Sequence, residues 1–146
     1  MVLNPIIDEY HLTRVLMDGG SSLNLIYQDT VRGMGIDPSR IGESATTFEG
    51  VIPGIEAYSM GSVILEVTFG SRGNSRSEEL VFIIARFQSS YQALLGRTAF
   101  TRFNALLHYG YLALKIPGPR GIITISGIIE RSSRAEEHAT ALAARL

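Results

Sequence analysis

Residues 15–27 have the sequence VLMDGGSSLNLIY, which constrains the fold more than any other stretch of the chain. Its first three residues are apolar and predict a buried strand, which leads Asp18 into a turn of two glycines and two serines. Burying a carboxylate at a strand end is costly unless donors or a charge partner compensate, and consecutive glycines let backbone amides approach an oxygen closely. Asp18 is therefore the residue whose role has to be explained first.

Three explanations of Asp18 compete on local grounds. Asp-Gly pairs often form turns, which favours an aspartate that caps the following helix. A glycine-rich turn before a helix can also bind phosphate. That alternative is weak, because no lysine follows in the Gly-Lys-Ser/Thr pattern and the negative Asp18 occupies the place of the anion. The third explanation is a catalytic carboxylate, which the rest of the chain supports.

Length and charge limit the classes of protein. The chain has 146 residues, of which 45% are hydrophobic, enough for the core of one domain. Thirteen basic and fourteen acidic residues give a net charge of −1, so we expect no nucleic-acid partner. The sequence has no cysteine, which excludes disulfides, thiol nucleophiles and zinc–thiolate sites and leaves the cellular compartment open.

The sequence predicts neither a membrane span nor a signal peptide. The longest uncharged run, residues 103–114, contains His108 and Gly110 and is shorter than the ~20 apolar residues of a spanning helix. Residues 1–10, MVLNPIIDEY, lack the basic region and apolar stretch of a signal peptide. We therefore expect a soluble protein without a membrane partner.

Short apolar runs separated by fifteen glycines and five prolines predict a mainly β domain, which we expect to span residues 1–130. Residues 70–79, GSRGNSRSEE, are polar and predict an exposed connection within a hairpin. The predicted strands are residues 12–17, 61–69, 80–85, 111–116 and 121–126.

Three segments have helical character. From Leu23 onward apolar residues recur at helical spacing, and either Ser21 or Ser22 can cap the helix. Residues 97–104 predict a second short helix with its two phenylalanines buried. The alanine-rich residues 131–146 predict a C-terminal helical tail.

Four stretches along the chain together resemble one known family. They are residues 15–27, TFEGVIPGIEAYSMGSVILEVTFG (47–70), YQALLGRTAF (91–100) and LKIPGPRGIITISG (114–127). In order and spacing they are similar to the retropepsin-like aspartic protease domain of plant gypsy-type retrotransposon polyproteins, over about residues 10–130. The resemblance implies a small, partly closed β barrel with a flap hairpin and two or three short helices, assembled as a homodimer.

The resemblance also assigns a role to each residue of the glycine turn. Asp18 would be the catalytic aspartate, in an active-site loop with Gly19, Gly20, Ser21 and Ser22. The two serines lack the Gly-x-Ser-x-Gly pattern of a nucleophile. We therefore expect them to cap the following helix or to bond to Asp18.

A flap would cover this loop. The resemblance places the flap at residues 48–58 and predicts that part of it faces the substrate. Tyr58 could line the substrate cleft, but a packing role across neighbouring strands is favoured over it. The residues of the predicted flap are Gly50, Val51, Ile52, Pro53, Gly54 and Tyr58.

Residues 94–97, LLGR, would form a second segment that closes a loop beneath the catalytic turn, with Leu95, Gly96 and Arg97 as structural support. Retroviral relatives pair this arginine with an aspartate, but here Ser22 occupies that position. We therefore expect the guanidinium of Arg97 to bond to loop carbonyls.

Amide hydrolysis by this chemistry requires two carboxylates, because one must be ionised to activate water while the other, protonated, hydrogen-bonds the substrate carbonyl. Two charges so close cannot both ionise, and the pair therefore shares one proton. Asp8, Asp29 and Asp37 do not follow an apolar strand into a glycine turn. The second aspartate must come from another copy of the chain, on a twofold axis. The histidines are too scattered to predict a metal site, and no metal or organic cofactor is required.

One residue departs from the family pattern. The family usually has threonine or serine after the aspartate, and its hydroxyl bridges the two loops across the dimer axis, whereas this chain has Gly19. Losing that hydrogen bond costs about 1 kcal/mol, so we expect a looser interface. The resemblance predicts an aspartic endopeptidase that cleaves the polyprotein of its own element. Gly19 supports the alternative, a weak or inactive domain retained as a binding or dimerisation module.

Overall fold

The computed structural model describes residues 1–42, 46–47, 50–51, 59–86, 88–108 and 112–127. The predicted tail, residues 131–146, lies outside this range. The described part of the chain contains the helices α1 (Gln28–Met34) and α2 (Arg97–Phe103) and a 3-10 turn at Pro38–Arg40. None of them is long and apolar enough to cross a membrane. The strands in this part are β1 (Val2–Leu3), β2 (Ile6–Ile7), β3 (Tyr10–His11), β4 (Val15–Met17), β5 (Leu25–Tyr27), β6 (Thr46–Thr47), β7 (Gly50–Val51), β8 (Ser59–Ser71), β9 (Asn74–Ala85), β10 (Ala93–Leu95), β11 (Leu106–His108), β12 (Ala113–Gly118) and β13 (Gly121–Ser126).

Eight strands form one curled sheet in the order β1-β4-β10-β5-β9-β8-β2-β3. Its centre contains two parallel pairs, β4 with β10 and β5 with β9, and the other neighbours are antiparallel. Strands β11, β12 and β13 form a second, antiparallel sheet, and β6 pairs with β7. The prediction of a mainly β fold is confirmed.

The longest hairpin, β8–β9, extends beyond the core. Along β8 buried residues alternate with more exposed ones, because one face of the sheet packs on the core. The predicted connection at residues 70–79 is wrong in extent, since the strands pair as far as Ser71 and Asn74 and leave Arg72 and Gly73 as the turn. Backbone hydrogen bonds continue the ladder there without apolar side chains.

The central strands are buried on both faces. Their register places Leu16, Leu94, Leu25 and Ile83 side by side across β4, β10, β5 and β9, each at most 5% exposed. The alternate residues of the same strands join the main core, together with residues of both helices. A strand buried on both faces has a continuous apolar sequence, without the alternation of a half-exposed strand.

This double burial explains why the first helix begins later than predicted. Residues 25–27 form β5, and α1 starts only at Gln28. A short buried strand followed by a helix produces the same apolar positions as a longer helix, so periodicity does not separate the two. The second helix agrees with its prediction, with Phe103 fully buried and Phe100 packed against the core.

Arg76 of β9 links the C-terminal end of α2 to both sheets through hydrogen bonds. Its guanidinium donates to the carbonyl oxygens of Arg102 and Phe103, both at 2.9 Å, and to that of Pro117 at 3.2 Å. It also pairs with Glu78 at 3.0 Å. The last carbonyls of a helix have no partner within the helix, so this arginine satisfies groups that would otherwise be left unpaired.

Replacing Arg76 with alanine should lower the free energy of unfolding by about 3 kcal/mol, because several charged hydrogen bonds are lost together. Arg76→Lys should recover less than half of this loss, since one ammonium cannot reproduce the planar fork of donors. Urea denaturation measures both, with Arg72→Ala in the exposed turn as the control. A loss below about 1 kcal/mol for Arg76→Ala would contradict the assignment.

Tyr27, at the end of β5, makes the free energy of unfolding depend on pH. The residue is 3% exposed, and burial raises the pKa of its hydroxyl to about 12, although a hydrogen bond with Ser89 lowers it in part. An unfolded tyrosine titrates near pH ~10. Because the folded protein holds the proton more tightly, this stabilisation is complete below about pH 10 and is lost as the pH rises toward the folded pKa.

Between about pH 9 and 12 the free energy of unfolding should therefore fall by about 2 kcal/mol more in the wild type than in Tyr27→Phe. Denaturation curves of the two proteins over this range measure the difference. The phenylalanine variant serves as the control for the titration of the other tyrosines. An identical pH dependence in both proteins would show that Tyr27 does not contribute.

Candidate active site

Asp18 lies directly after β4, where two distant parts of the chain meet. Its amide donates to the carbonyl oxygen of Leu95 at 2.9 Å, and its side chain is half-buried. Because β4 and β10 are parallel, both strands end at the same edge of the sheet. The residues that follow them, Asp18 and Gly96, are therefore brought together.

The glycine turn orients the carboxylate of Asp18. The amide of Gly20 donates to Oδ1 of Asp18 at 2.8 Å, and a Cβ on Gly20 would stand 3.1 Å from the same oxygen. Gly19 is exposed, and a Cβ there would lie 3.8 Å from the ring of Phe100, an ordinary contact. The fold of one chain therefore favours glycine at position 20 but has space for a side chain at position 19.

Ser21 stabilises the turn and does not cap a helix. Its hydroxyl donates to the carbonyl oxygen of Leu23 at 2.8 Å and accepts from the Leu23 amide at 3.2 Å. Its own amide donates to the carbonyl oxygen of Asp18 at 3.2 Å. The prediction that Ser21 or Ser22 caps α1 is wrong, because β5 intervenes and the N-cap of α1 is Tyr27, without a side-chain cap.

Gly96 packs against the glycine turn that follows Asp18, at a distance that only glycine allows. A Cβ at this position would lie 2.3 Å from the carbonyl oxygen of Leu23 and 2.7 Å from that of Ser21. The next residue, Arg97, donates its amide to the same Ser21 oxygen at 2.8 Å. Leu94 and Leu95 are fully buried, so residues 94–97 join the core to the turn.

The side chain of Arg97 does not behave as predicted. The residue is exposed, and within the described part of the chain its guanidinium makes no hydrogen bond or ion pair. The expected bonds from its guanidinium to loop carbonyls are therefore wrong, and only its backbone amide holds the loop. The cause is the direction of α2, whose first residue directs its amide inward and its side chain toward solvent.

Asn24 is a site residue that sequence reasoning missed. It is 4% exposed, and its side chain accepts a hydrogen bond from the Gly96 amide at 2.9 Å and donates one to the carbonyl oxygen of Val81 at 3.2 Å. The available signal was an amide side chain between two leucines in an apolar run, because a buried polar group requires partners.

The predicted flap is only partly within the described structure. Gly50 and Val51 lie in β7, paired with Thr47 and Thr46 of β6. Ile52, Pro53, Gly54 and Tyr58 lie outside the described residues. At the base of this region Gly42 and Ser62 exchange two backbone hydrogen bonds, of 2.8 and 2.9 Å.

The other described aspartates are engaged elsewhere. Asp8 pairs with Arg40 at 2.8 Å. Asp37 accepts a hydrogen bond from the Ser39 amide, which lowers the pKa of its carboxyl. Asp29 lies exposed in α1. Of the described aspartates, Asp18 therefore is the one in a glycine turn at a strand end.

The described residues contain no group of three or more histidine or acidic side chains that could bind a metal ion. Two of the histidines, His11 and His108, lie exposed on different sheets, and His138 is outside the described range. What the site offers is one half-buried carboxylate with one oxygen held by a backbone amide. Such a group can accept or donate a proton, given a second acid or base.

Comparisons with known proteins concern the fold. No model of a known protein family matches the sequence, and no curated protein matches it. The chain is similar to a crystal structure of the retroviral protease-like domain of Ddi1 from Leishmania major, with 14% identity and a TM-score of 0.61 over 89% of this chain and 95% of that one. The chain therefore has a retropepsin-like fold, mainly β, as its motifs predict.

Proposed function

We propose that the chain is an aspartic endopeptidase that acts as a homodimer, with Asp18 contributed by each copy. The observation that carries this proposal is the placement of Asp18. It follows a buried strand, its carboxylate is partly accessible, and the Gly20 amide holds one carboxylate oxygen at 2.8 Å. A retropepsin-like fold agrees with this chemistry, although fold alone does not imply activity.

In the proposed reaction the two Asp18 carboxyls share one proton. The ionised carboxylate takes a proton from water, whose oxygen attacks the carbonyl carbon, while the protonated carboxyl donates to the carbonyl oxygen. The tetrahedral intermediate then collapses as the amide nitrogen receives a proton and leaves as the amine. Atoms and charge balance without a metal ion or a redox step.

The homodimer follows from the need for a second carboxylate within about 3 Å of the first. A twofold axis that brings the two Asp18 residues so close also brings Gly19 of one chain near Gly19 of the other. Without a side chain at this position the two turns meet through backbone alone. We therefore expect a weak dimer that forms at high protein concentration or on substrate.

We propose a polypeptide substrate, bound in extended form, with apolar side chains in alternate pockets. The resemblance of residues 15–27, 47–70, 91–100 and 114–127 to plant gypsy-type retrotransposon proteases supports the polyprotein of such an element as the natural substrate. No cofactor takes part.

Incubation with a mixed peptide library between about pH 4 and 6 tests the proposal, because a shared proton requires acidic conditions. Cleavage should be blocked by pepstatin, and the rate per chain should rise with protein concentration until dimers saturate. Intact peptides at the highest soluble concentration would overturn the proposal. They would favour the alternative that Gly19 supports, a binding or dimerisation module without turnover.

A further inference from the structure

We propose that Asn24 is a positioning residue for Asp18. Its side-chain amide ties the end of β10 to β9 and so fixes the backbone to which the Asp18 amide is bonded. This inference rests on the proposed function, because it assigns Asn24 an effect on peptide cleavage that exceeds its effect on folding.

The geometry is a three-way junction. Oδ1 of Asn24 accepts from the Gly96 amide at 2.9 Å, and Nδ2 donates to the carbonyl oxygen of Val81 at 3.2 Å. The backbone carbonyl of Asn24 accepts from the Ile83 amide at 2.9 Å. Since Asn24 is 4% exposed, water cannot readily replace these partners.

Gly96 connects this junction to Asp18. Gly96 follows Leu95, whose carbonyl oxygen accepts from the Asp18 amide at 2.9 Å, and precedes Arg97, whose amide donates to the carbonyl oxygen of Ser21 at 2.8 Å. A shift of Gly96 therefore moves both sides of the catalytic turn. Misplacing a reacting group by ~1 Å can cost ~10²-fold in rate.

The position requires both a donor and an acceptor. Leucine matches asparagine in size but leaves the Gly96 amide and the Val81 carbonyl unpaired. An ionised aspartate keeps the acceptor for Gly96 but sets a second oxygen against the Val81 oxygen. When that carboxyl is protonated it can donate again, so Asn24→Asp should behave like the wild type in acid only.

Steady-state kinetics of Asn24→Leu, with Val67→Ala as the matched control, test the inference. Val67 is fully buried on β8 in the main core and makes no bond to the catalytic turn. Asn24→Leu should lower kcat by about ten-fold or more while KM changes by less than about two-fold. Val67→Ala is also destabilised but should keep kcat within about two-fold of the wild type. If Asn24→Leu and Val67→Ala have the same free energy of unfolding and lose kcat to the same extent, the inference is wrong.

The pH profile of Asn24→Asp is a second readout, which also decides the matter if Asn24→Leu does not fold. Relative to the wild type at each pH, its kcat should be close to normal near pH ~4 and fall as the introduced carboxyl ionises toward pH ~7. A ratio that does not change with pH would contradict the role assigned to the Nδ2 donor.

Hydrogen exchange separates failure of this inference from failure of the proposed function. In Asn24→Leu the amides of Asp18 and Gly96 should lose protection, whereas in Val67→Ala they should keep it relative to the other core amides. If the amides of Asp18 and Gly96 keep their protection in Asn24→Leu, Asn24 does not hold this part of the backbone and the inference is wrong. A wild type that cleaves no peptide would overturn the proposed function, while a selective loss of protection would still support the junction.

Discussion

Asp18→Asn should lower the rate of peptide cleavage by roughly 10³-fold or more, because an amide can neither accept the proton of water nor donate one as an acid. The fold should survive the change. The asparagine oxygen can still accept from the Gly20 amide, which holds Oδ1 of Asp18 at 2.8 Å. The free energy of unfolding should therefore stay within about 1 kcal/mol of the wild-type value.

Mixed dimers make this prediction specific for a shared site. A heterodimer with one asparagine lacks the carboxylate pair, so the variant should inhibit the wild type when both are present. With full exchange of subunits, and at concentrations that keep all chains in dimers, roughly nine-fold excess of Asp18→Asn should reduce the activity of a fixed amount of wild type to about one tenth, the wild-type fraction of chains.

Asp29→Asn is the matched control. Asp29 is exposed in α1 and at 4.0 Å from Arg32, so its replacement removes one charge without touching the turn. It should neither lower activity nor inhibit the wild type. Full activity in Asp18→Asn would refute the catalytic assignment, and activity proportional to wild type alone in the mixture would refute the shared site.

Gly96→Ala should have the largest effect on stability. Its methyl group would stand 2.3 Å from the Leu23 carbonyl oxygen and 2.7 Å from that of Ser21, and both contacts are with backbone. Relief requires separation of β10 from the glycine turn, which breaks the hydrogen bonds of Gly96 and Arg97. We expect a loss of more than about 4 kcal/mol, and for a domain of ordinary stability a chain that is largely unfolded.

Gly33→Ala is the matched control for this substitution. Gly33 lies in α1, and a Cβ there meets nothing within 4 Å. Alanine is the better helix former, so this variant should gain about 0.5 to 1 kcal/mol. Thermal or urea denaturation of the two variants measures the contrast. A Gly96→Ala protein that is folded with near wild-type stability would show that the turn and β10 are not packed as described.

Both predictions concern residues that the sequence singles out, but for different reasons. The apolar run before Asp18 and the glycines after it indicate a strand that ends in a tight turn, and the structure has that arrangement. Gly96 also stands after an apolar run. Its backbone contacts with Leu23 and Ser21 depend on residues more than seventy positions away along the chain.

The role of Asn24 and the late start of α1 escaped local reasoning for a related physical cause. Periodicity reports which residues are buried, not which partner buries them. The partners of the Asn24 side chain are Gly96, directly after β10, and Val81 of β9. The strand character of residues 25–27 comes from pairing with the same two strands.

Sequence patterns alone predict the mainly β class, the strand–Asp–Gly-Gly turn and the position of α2, because alternation, apolar runs and glycine clusters act over a few neighbouring residues. The parallel pairing of β4 with β10, by which Asp18 bonds to Leu95 and Asn24 to Gly96, becomes visible only in the folded chain. Such pairing depends on the fit of surfaces far apart in the chain, where many alternative partners share the same apolar character and only close packing separates them.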